Sequence, residues 1–116
     1  MNDGCGGIPV DEYIGNIRTI VETIQEKNKN ADIIICGSIL ANPDSHYNRT
    51  HRQYVPELNK LASEKENVTV LDMTTFSDDI LKYKSSFEFF VNNINHPDDF
   101  VVRSYVANLM HLIQKA

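Results

Sequence analysis

The sequence lacks the features that would place it in a membrane. No apolar run approaches the roughly 20 residues that a membrane-spanning helix requires. Nor does a basic segment followed by a short apolar segment, the pattern of a signal peptide, stand at the start of the chain. We therefore expect no membrane span. A native N-terminus upstream of Met1 would leave both a cytoplasmic and a secreted location open.

Basic residues are also scarce. The 11 lysines and arginines are outnumbered by 16 aspartates and glutamates, which gives a formal net charge of -5. Surfaces that bind polyanions need clustered basic side chains. We therefore expect no nucleic-acid partner.

Metal-binding patterns are missing as well. Cys5 and Cys36 have no metal-type spacing, and His46 and His51 lie five residues apart rather than four. We predict no metal site and no cofactor. Cys36 lies in an apolar segment and is expected to be a buried thiol, whereas His46, His51 and His111 are expected to be surface or helix-face residues.

Helical and strand patterns alternate in the rest of the chain. Apolar residues recur every three or four positions from Val10 to Ile24, which predicts an amphipathic helix. Short apolar runs at 33–36 and 68–71 are typical of strands in a parallel sheet. An irregular turn over 42–49 should lead into a second helix, which Pro56 either starts or kinks.

A last helix is predicted to begin near Asp98, directly after Pro97. Its inward face is expected to carry the apolar residues Phe100, Val101, Tyr105, Val106, Leu109, Met110 and Ile113. The alternation of helices and strands predicts a three-layer α/β/α architecture. Because only two strands are predicted, the sheet should keep unpaired edges, and self-association through such an edge is expected.

Two short motifs stand at opposite ends of the chain: Asn2-Asp3-Gly4, and His96-Pro97 with Asn93 three residues before the histidine. An asparagine amide can donate to a developing oxyanion, and a histidine at the mouth of a helix can act as a general base. With the order of helices and strands between these motifs, the chain resembles the C-terminal half of an SGNH (GDSL-type) hydrolase, a family of esterases and acylhydrolases.

This resemblance implies a flavodoxin-like, doubly wound parallel sheet, of which residues 1–116 would form one partial domain without the nucleophile segment. The family's Gly-x-Asn-Asp motif would end at Asp3, with Asn2 in the oxyanion hole and Asp3 and Gly4 supporting the turn. Gly4, Gly6 and Gly7 permit positive φ, but no Lys-Ser or Lys-Thr follows them as in a phosphate-binding loop. The segments 1–7, 37–43 and 72–76 should then converge at the carboxyl ends of the strands.

The same resemblance assigns His96 as the catalytic base, but Asn93 replaces the family's aspartate. An acid-to-amide change in a serine-protease triad lowers turnover by about ten-thousandfold. Three accounts are open. Asn93 or a backbone carbonyl orients the imidazole, Asp72 or Asp99 supplies the charge, or the activity has been lost. We favour the first two together over the third.

We therefore expect part of an acyl ester hydrolase that forms an acyl-enzyme through a serine outside this chain. Its substrate would be a small-molecule or carbohydrate acyl ester. The alternatives are a catalytically silent α/β binding or interaction domain, and an acyltransferase of the same family. The chain alone should be inactive, because Ser38 is not part of a Gly-x-Ser-x-Gly motif and Ser45 and Ser77 lie in polar segments.

Overall fold

The computed structural model of the chain, described over residues 1–115, has a mixed α/β architecture. Two parallel strands, β1 (Ile33–Cys36) and β2 (Val68–Leu71), pair in a register that joins Ile33 to Val68 and Cys36 to Leu71. The helices are α1 (Asn2–Gly6), α2 (Val10–Lys27), α3 (His51–Ser63), α4 (Met73–Ile80), α5 (Ser86–Phe89) and α6 (Asp99–Lys115).

The strongest sequence patterns are confirmed. Both strands lie where the apolar runs predict them, α2 spans the predicted amphipathic segment, and Pro56 lies inside α3. Helices α1, α4 and α5 were not predicted. In particular, residues 2–6 form a short helix rather than a glycine-rich turn. Among Gly4, Gly6 and Gly7, only Gly7, which follows that helix, has a positive φ, of 74°.

Buried side chains form clusters on the two faces of the sheet. On one face, Ile35 of β1 packs with residues of α2 and α3 that are less than 5% exposed: Val21, Tyr54, Leu58 and Leu61. On the other face, Leu71 packs with Met73, Phe89, Phe90 and Val101 from α4, the α5 segment and α6. Alternate strand residues therefore face different helices, as expected for a sheet covered on both sides.

The predicted inward face of α6 is wrong in most positions. Val101 is buried and Tyr105 and Leu109 are half-buried, but Phe100, Val106, Met110 and Ile113 are between 38% and 54% exposed. The physical reason is the narrow sheet. Within residues 1–115, β1 pairs only with β2, so no further strand covers the rest of the apolar stripe on α6.

The expected burial of Cys36 is also wrong. Cys36 is exposed, because it is the last residue of β1 and lies at an open cleft rather than inside the sheet. Of the two alternatives given for His51, a helix face is the one observed: this first residue of α3 is only 1% exposed, because α1 lies against the first turn of α3. His46 and His111 are exposed, as predicted.

Candidate functional site

A cleft of about 550 Å³ lies at the carboxyl end of β1. Residues from both ends of the chain line it, together with the segment that follows β1: Met1, Asn2, Tyr13, Cys36, Gly37, Ser38, Ile39, Asn95, His96, Pro97, Val101, Val102, Tyr105 and Val106. Of the predicted site residues, Asn2 and His96 therefore share one cleft. Residues 37–39 line it as well, whereas residues 72–76 do not, although Thr74 Oγ1 donates to the Ser38 carbonyl at 2.6 Å.

Asn2 reaches the cleft because α1 is attached to the start of α3. Arg49 Nη1 donates to the Gly6 carbonyl at 2.7 Å, and Thr50 N donates to the Gly4 carbonyl at 3.3 Å. The Asn2 side chain is exposed and has no hydrogen-bond partner within the described part of the chain. Its amide is therefore free to donate to a bound molecule.

Asp3 and Gly4 support α1 through their backbones. The Asp3 carbonyl accepts a hydrogen bond from Ile8 N at 3.0 Å, and the Gly4 carbonyl accepts one from Gly7 N at 3.3 Å.

Burial raises the pKa of the Tyr13 phenol, which lines the cleft, and the Asp3 carboxylate raises it further. Tyr13 therefore stays a neutral donor near neutral pH.

His96 lies in a loop that Asn92 organises. The Asn92 Oδ1 atom accepts hydrogen bonds at 3.0 Å from the backbone N–H groups of Ile94, Asn95 and His96. This arrangement is the local bonding that favours asparagine in turns. It presents the His96 side chain to solvent at the mouth of the cleft.

Asn93 is directed toward Asn42 rather than toward His96. Asn93 has a φ of 55°, in the left-handed region that asparagine tolerates better than most residues. Asn42 Nδ2 donates to the Asn93 carbonyl at 2.8 Å and lies 3.4 Å from Asn93 Oδ1, while Asn42 N donates to the Ile94 carbonyl at 2.7 Å. No hydrogen bond joins Asn93 to the His96 ring in residues 1–115.

The two alternative acids have other partners. Asp72 is the N-cap of α4 and accepts hydrogen bonds from Thr75 N at 2.9 Å and from Thr75 Oγ1 at 2.6 Å. Asp99 forms an exposed ion pair with Arg103 at 2.7 Å. Neither aspartate lines the cleft.

Two further hydroxyl groups lie in the cleft. Ser38 Oγ donates to the Ile39 carbonyl at 2.7 Å, so it is not bonded to a histidine. Burial raises the pKa of the Tyr105 phenol, and contact with the Cys36 thiol raises it further. Tyr105 is therefore a neutral hydrogen-bond donor in the wall that α6 contributes.

Sequence reasoning missed the residues that hold this site together. Asn42 and Asn92 position the loop that carries His96, and His51 lies beneath α1, where its ring contacts Cys5 of that helix. The asparagine-rich run before His96 does signal a hydrogen-bonded turn. Neither Asn42 nor His51 has such a local signal, because their partners lie far away in the sequence.

The structure contains no group of three or more His, Cys, Asp or Glu side chains that could hold a metal ion, as far as residues 1–115 show. In the same residues, no helix is long and apolar enough to cross a membrane. No family model, curated protein or solved structure matches the chain.

Proposed function

We propose that this chain is the C-terminal part of an SGNH-type acyl ester hydrolase. The observation that carries the proposal is the presence of Asn2 and His96, from opposite ends of the chain, in one cleft at the carboxyl end of β1. In this proposal, His96 is the general base, Asn2 donates to the oxyanion, and a serine outside these residues is the nucleophile.

The proposal includes a wider, doubly wound sheet. One or more further parallel strands would pair with the free edge of β1 and lie between α2 and α6. Exposed apolar side chains on these helices support this completion: Ile20, Ile24, Val102, Val106, Met110 and Ile113. Without such strands, the same surface would favour self-association of the chain through its sheet edge.

The contacts of the carboxylates bear on how His96 is oriented. Capping by Asp72 and ion pairing by Asp99 weigh against either as the partner of His96. We therefore favour orientation by a backbone carbonyl or by Asn93 after a rotation of its side chain. In that case Asn93→Asp in the complete enzyme should leave ester turnover equal or higher, because it restores a charged partner.

The main alternative is a catalytically silent binding domain. Two observations favour it: Asn93 bonds to Asn42 instead of His96, and Ser38, which lies in the cleft, donates to a backbone carbonyl. Small-molecule or carbohydrate acyl esters remain the proposed substrates of the hydrolase. An acyltransferase would use the same side chains, with an alcohol in place of water.

The test compares the 116-residue chain with the same chain joined to its upstream coding sequence. The chain alone should hydrolyse no p-nitrophenyl acetate above the level of its His96→Ala variant. In the joined protein, His96→Ala should abolish turnover and Asn2→Ala should lower it by about a hundredfold to a thousandfold. His111→Ala and Asn16→Ala, at exposed positions, are the matched controls.

Two outcomes would contradict the proposal. Turnover by the chain alone that disappears in Ser38→Ala would place the nucleophile within these residues. A joined protein in which neither His96→Ala nor Asn2→Ala changes ester turnover would favour the binding domain.

A further inference from the structure

A buried histidine lies beneath the candidate site. His51 is the first residue of α3 and is 1% exposed, and its Nδ1 atom is buried without a hydrogen-bond partner. In the described part of the chain, it is the one buried side-chain nitrogen or oxygen left unpaired. An unpaired buried polar atom is costly, so apolar packing alone does not explain an imidazole at this position.

The other ring nitrogen faces α1. His51 Nε2 lies 3.2 Å from the Met1 carbonyl oxygen and 3.7 Å from Cys5 Sγ, and Gly4 lies so close to the ring that a Cβ atom there would overlap it. Because a carbonyl can only accept, the contact with Met1 is attractive when Nε2 carries the proton. We assign this tautomer from the hydrogen-bond network.

Cys5 extends the contact to the loop that carries His96. Asn95 Nδ2 lies 3.7 Å from Cys5 Sγ, so ring, thiol and amide form a chain of contacts across three segments. We call His51, Cys5 and Asn95 the buried junction. Both of its ends adjoin the candidate site residues: His51 contacts the carbonyl of Met1, which precedes Asn2, and Asn95 precedes His96.

The groups around His51 favour its neutral form. Burial, the largest cause, lowers the pKa of the imidazole and the positive charge of Arg52 lowers it further, whereas the hydrogen bond to the Met1 carbonyl raises it. Cys5 contributes a thiol and Asn95 a neutral amide. A single tautomer with one donor therefore faces α1 at neutral pH.

We propose that His51 is a positioning residue that, through Cys5 and Asn95, fixes the separation between Asn2 and His96. The consequence for catalysis rests on the proposed hydrolase function, whereas the junction itself does not. If a reacting geometry depends on this separation, a displacement of about 1 Å can lower turnover on the order of a hundredfold.

The test uses conservative variants of the 116-residue chain. The Gln amide nitrogen can replace Nε2 as donor, whereas Asn places its amide nearer to the position of Nδ1 and Phe keeps only the ring. His111→Asn, at an exposed position on α6, is the matched control. Backbone and side-chain amide NMR signals of residues 2 and 92–96 are recorded for each variant, with the urea midpoint measured in parallel.

We expect His51→Asn and His51→Phe to shift the signals of both Asn2 and the 92–96 loop, and His51→Gln to restore them. Cys5→Ala should shift the same signals, and adding it to His51→Asn should produce little further change because both act through one chain of contacts. If the urea midpoint falls while the loop signals stay where the His111→Asn control leaves them, His51 only stabilises α3 and the proposal is wrong.

An activity measurement separates this proposal from the proposed function. In the protein joined to its upstream sequence, His51→Asn should lower kcat on the order of a hundredfold with a smaller change in KM, and His51→Gln should recover most of it. Absence of ester turnover in the unmodified joined protein contradicts the hydrolase, while the NMR result still decides the junction. Turnover that His51→Asn leaves unchanged overturns the positioning role.

Discussion

Helices α3 and α6 are both amphipathic, yet only α3 buries its whole apolar face. In α3, five side chains are buried, among them Leu58 and Leu61 at 1% exposure. In α6, which is longer, Val101 is the one buried side chain among residues 99–115. The difference shows that the apolar face of α3 is buried against its neighbours, whereas the apolar stripe of α6 extends beyond the two-stranded sheet and is largely exposed to solvent.

The same contrast applies to the histidines near these helices. His51, at the start of α3, is buried and contacts α1, whereas His96, just before α6, is exposed on a loop that asparagines organise. Packing restrains the first histidine and local hydrogen bonds restrain the second. His51 contacts Cys5 of α1 directly, whereas His96 is linked to the same helix only through its neighbour Asn95, whose Nδ2 lies 3.7 Å from Cys5 Sγ.

The largest change in stability is expected when a buried side chain of α3 is truncated. Leu58→Ala removes a side chain that is 1% exposed and should lower the free energy of unfolding by about 2–5 kcal/mol. Val106→Ala, at a position 54% exposed on α6, should change it by no more than about 0.5 kcal/mol. Urea denaturation of both variants measures the contrast.

A comparable loss in the two variants would contradict the comparison, because it would mean that Val106 is covered in solution. Repeating the measurement over a range of protein concentrations would then show whether a second copy covers α6. Self-association would make the midpoint rise with concentration.

A smaller effect is expected where α1 meets α3. Gly4→Ala places a Cβ atom where the His51 imidazole lies, and the forced displacement should cost about 1–3 kcal/mol. Gly6→Ala is the matched control, because no atom lies within 4 Å of the Cβ it would add. It should be neutral or stabilising, since alanine favours helix over glycine.

Thermal or urea unfolding measures both glycine variants. Equal stability of Gly4→Ala and the unmodified chain would show that α1 does not rest on the His51 ring. The contrast between a packed His51 and an exposed His96 would then have no structural basis.

Local sequence patterns predict much of the fold but not the contact between α1 and His51. The periodicity of residues 10–24 and the apolar runs at 33–36 and 68–71 depend on neighbours in sequence, so α2, β1 and β2 could be predicted. The apolar stripe on α6 could be recognised too, but periodicity does not reveal whether a neighbouring strand covers it.

The candidate site divides in the same way. Asn2 and His96 could be singled out because each stands in a short motif, and the two residues do line one cleft. The burial of His51 depends on contacts with Cys5 and Met1, which lie 46 and 50 residues earlier in the sequence. Asn42 likewise acquires its role only when the 93–94 segment folds against it. Tertiary contacts of this kind have no local signature.

The smallest expected effect concerns pH. The pKa of His51 is lowered from its ordinary 6.5, mainly by burial, so the unfolded chain binds a proton at this residue more readily than the folded chain does. The stability that neutral His51 contributes is therefore complete above about pH 6.5 and is lost as pH falls through the lower, folded-state pKa. Unfolding measured between pH 7 and pH 5 should show a gradual decline.

Two carboxylates help to isolate this effect. A hydrogen bond from Lys65 lowers the pKa of Glu22 below its ordinary 4.5, and hydrogen bonds from Ser85 do the same for Glu88. The stability that these two carboxylates contribute is therefore lost only in more acidic solution. His51→Gln should therefore flatten the decline between pH 7 and pH 5, while His111→Gln, at an exposed position, should leave it as it is. If the stability of His51→Gln declines between pH 7 and pH 5 as steeply as that of the unmodified chain, another group causes the decline. Protonation of His51 would then not contribute to the difference between the two histidines.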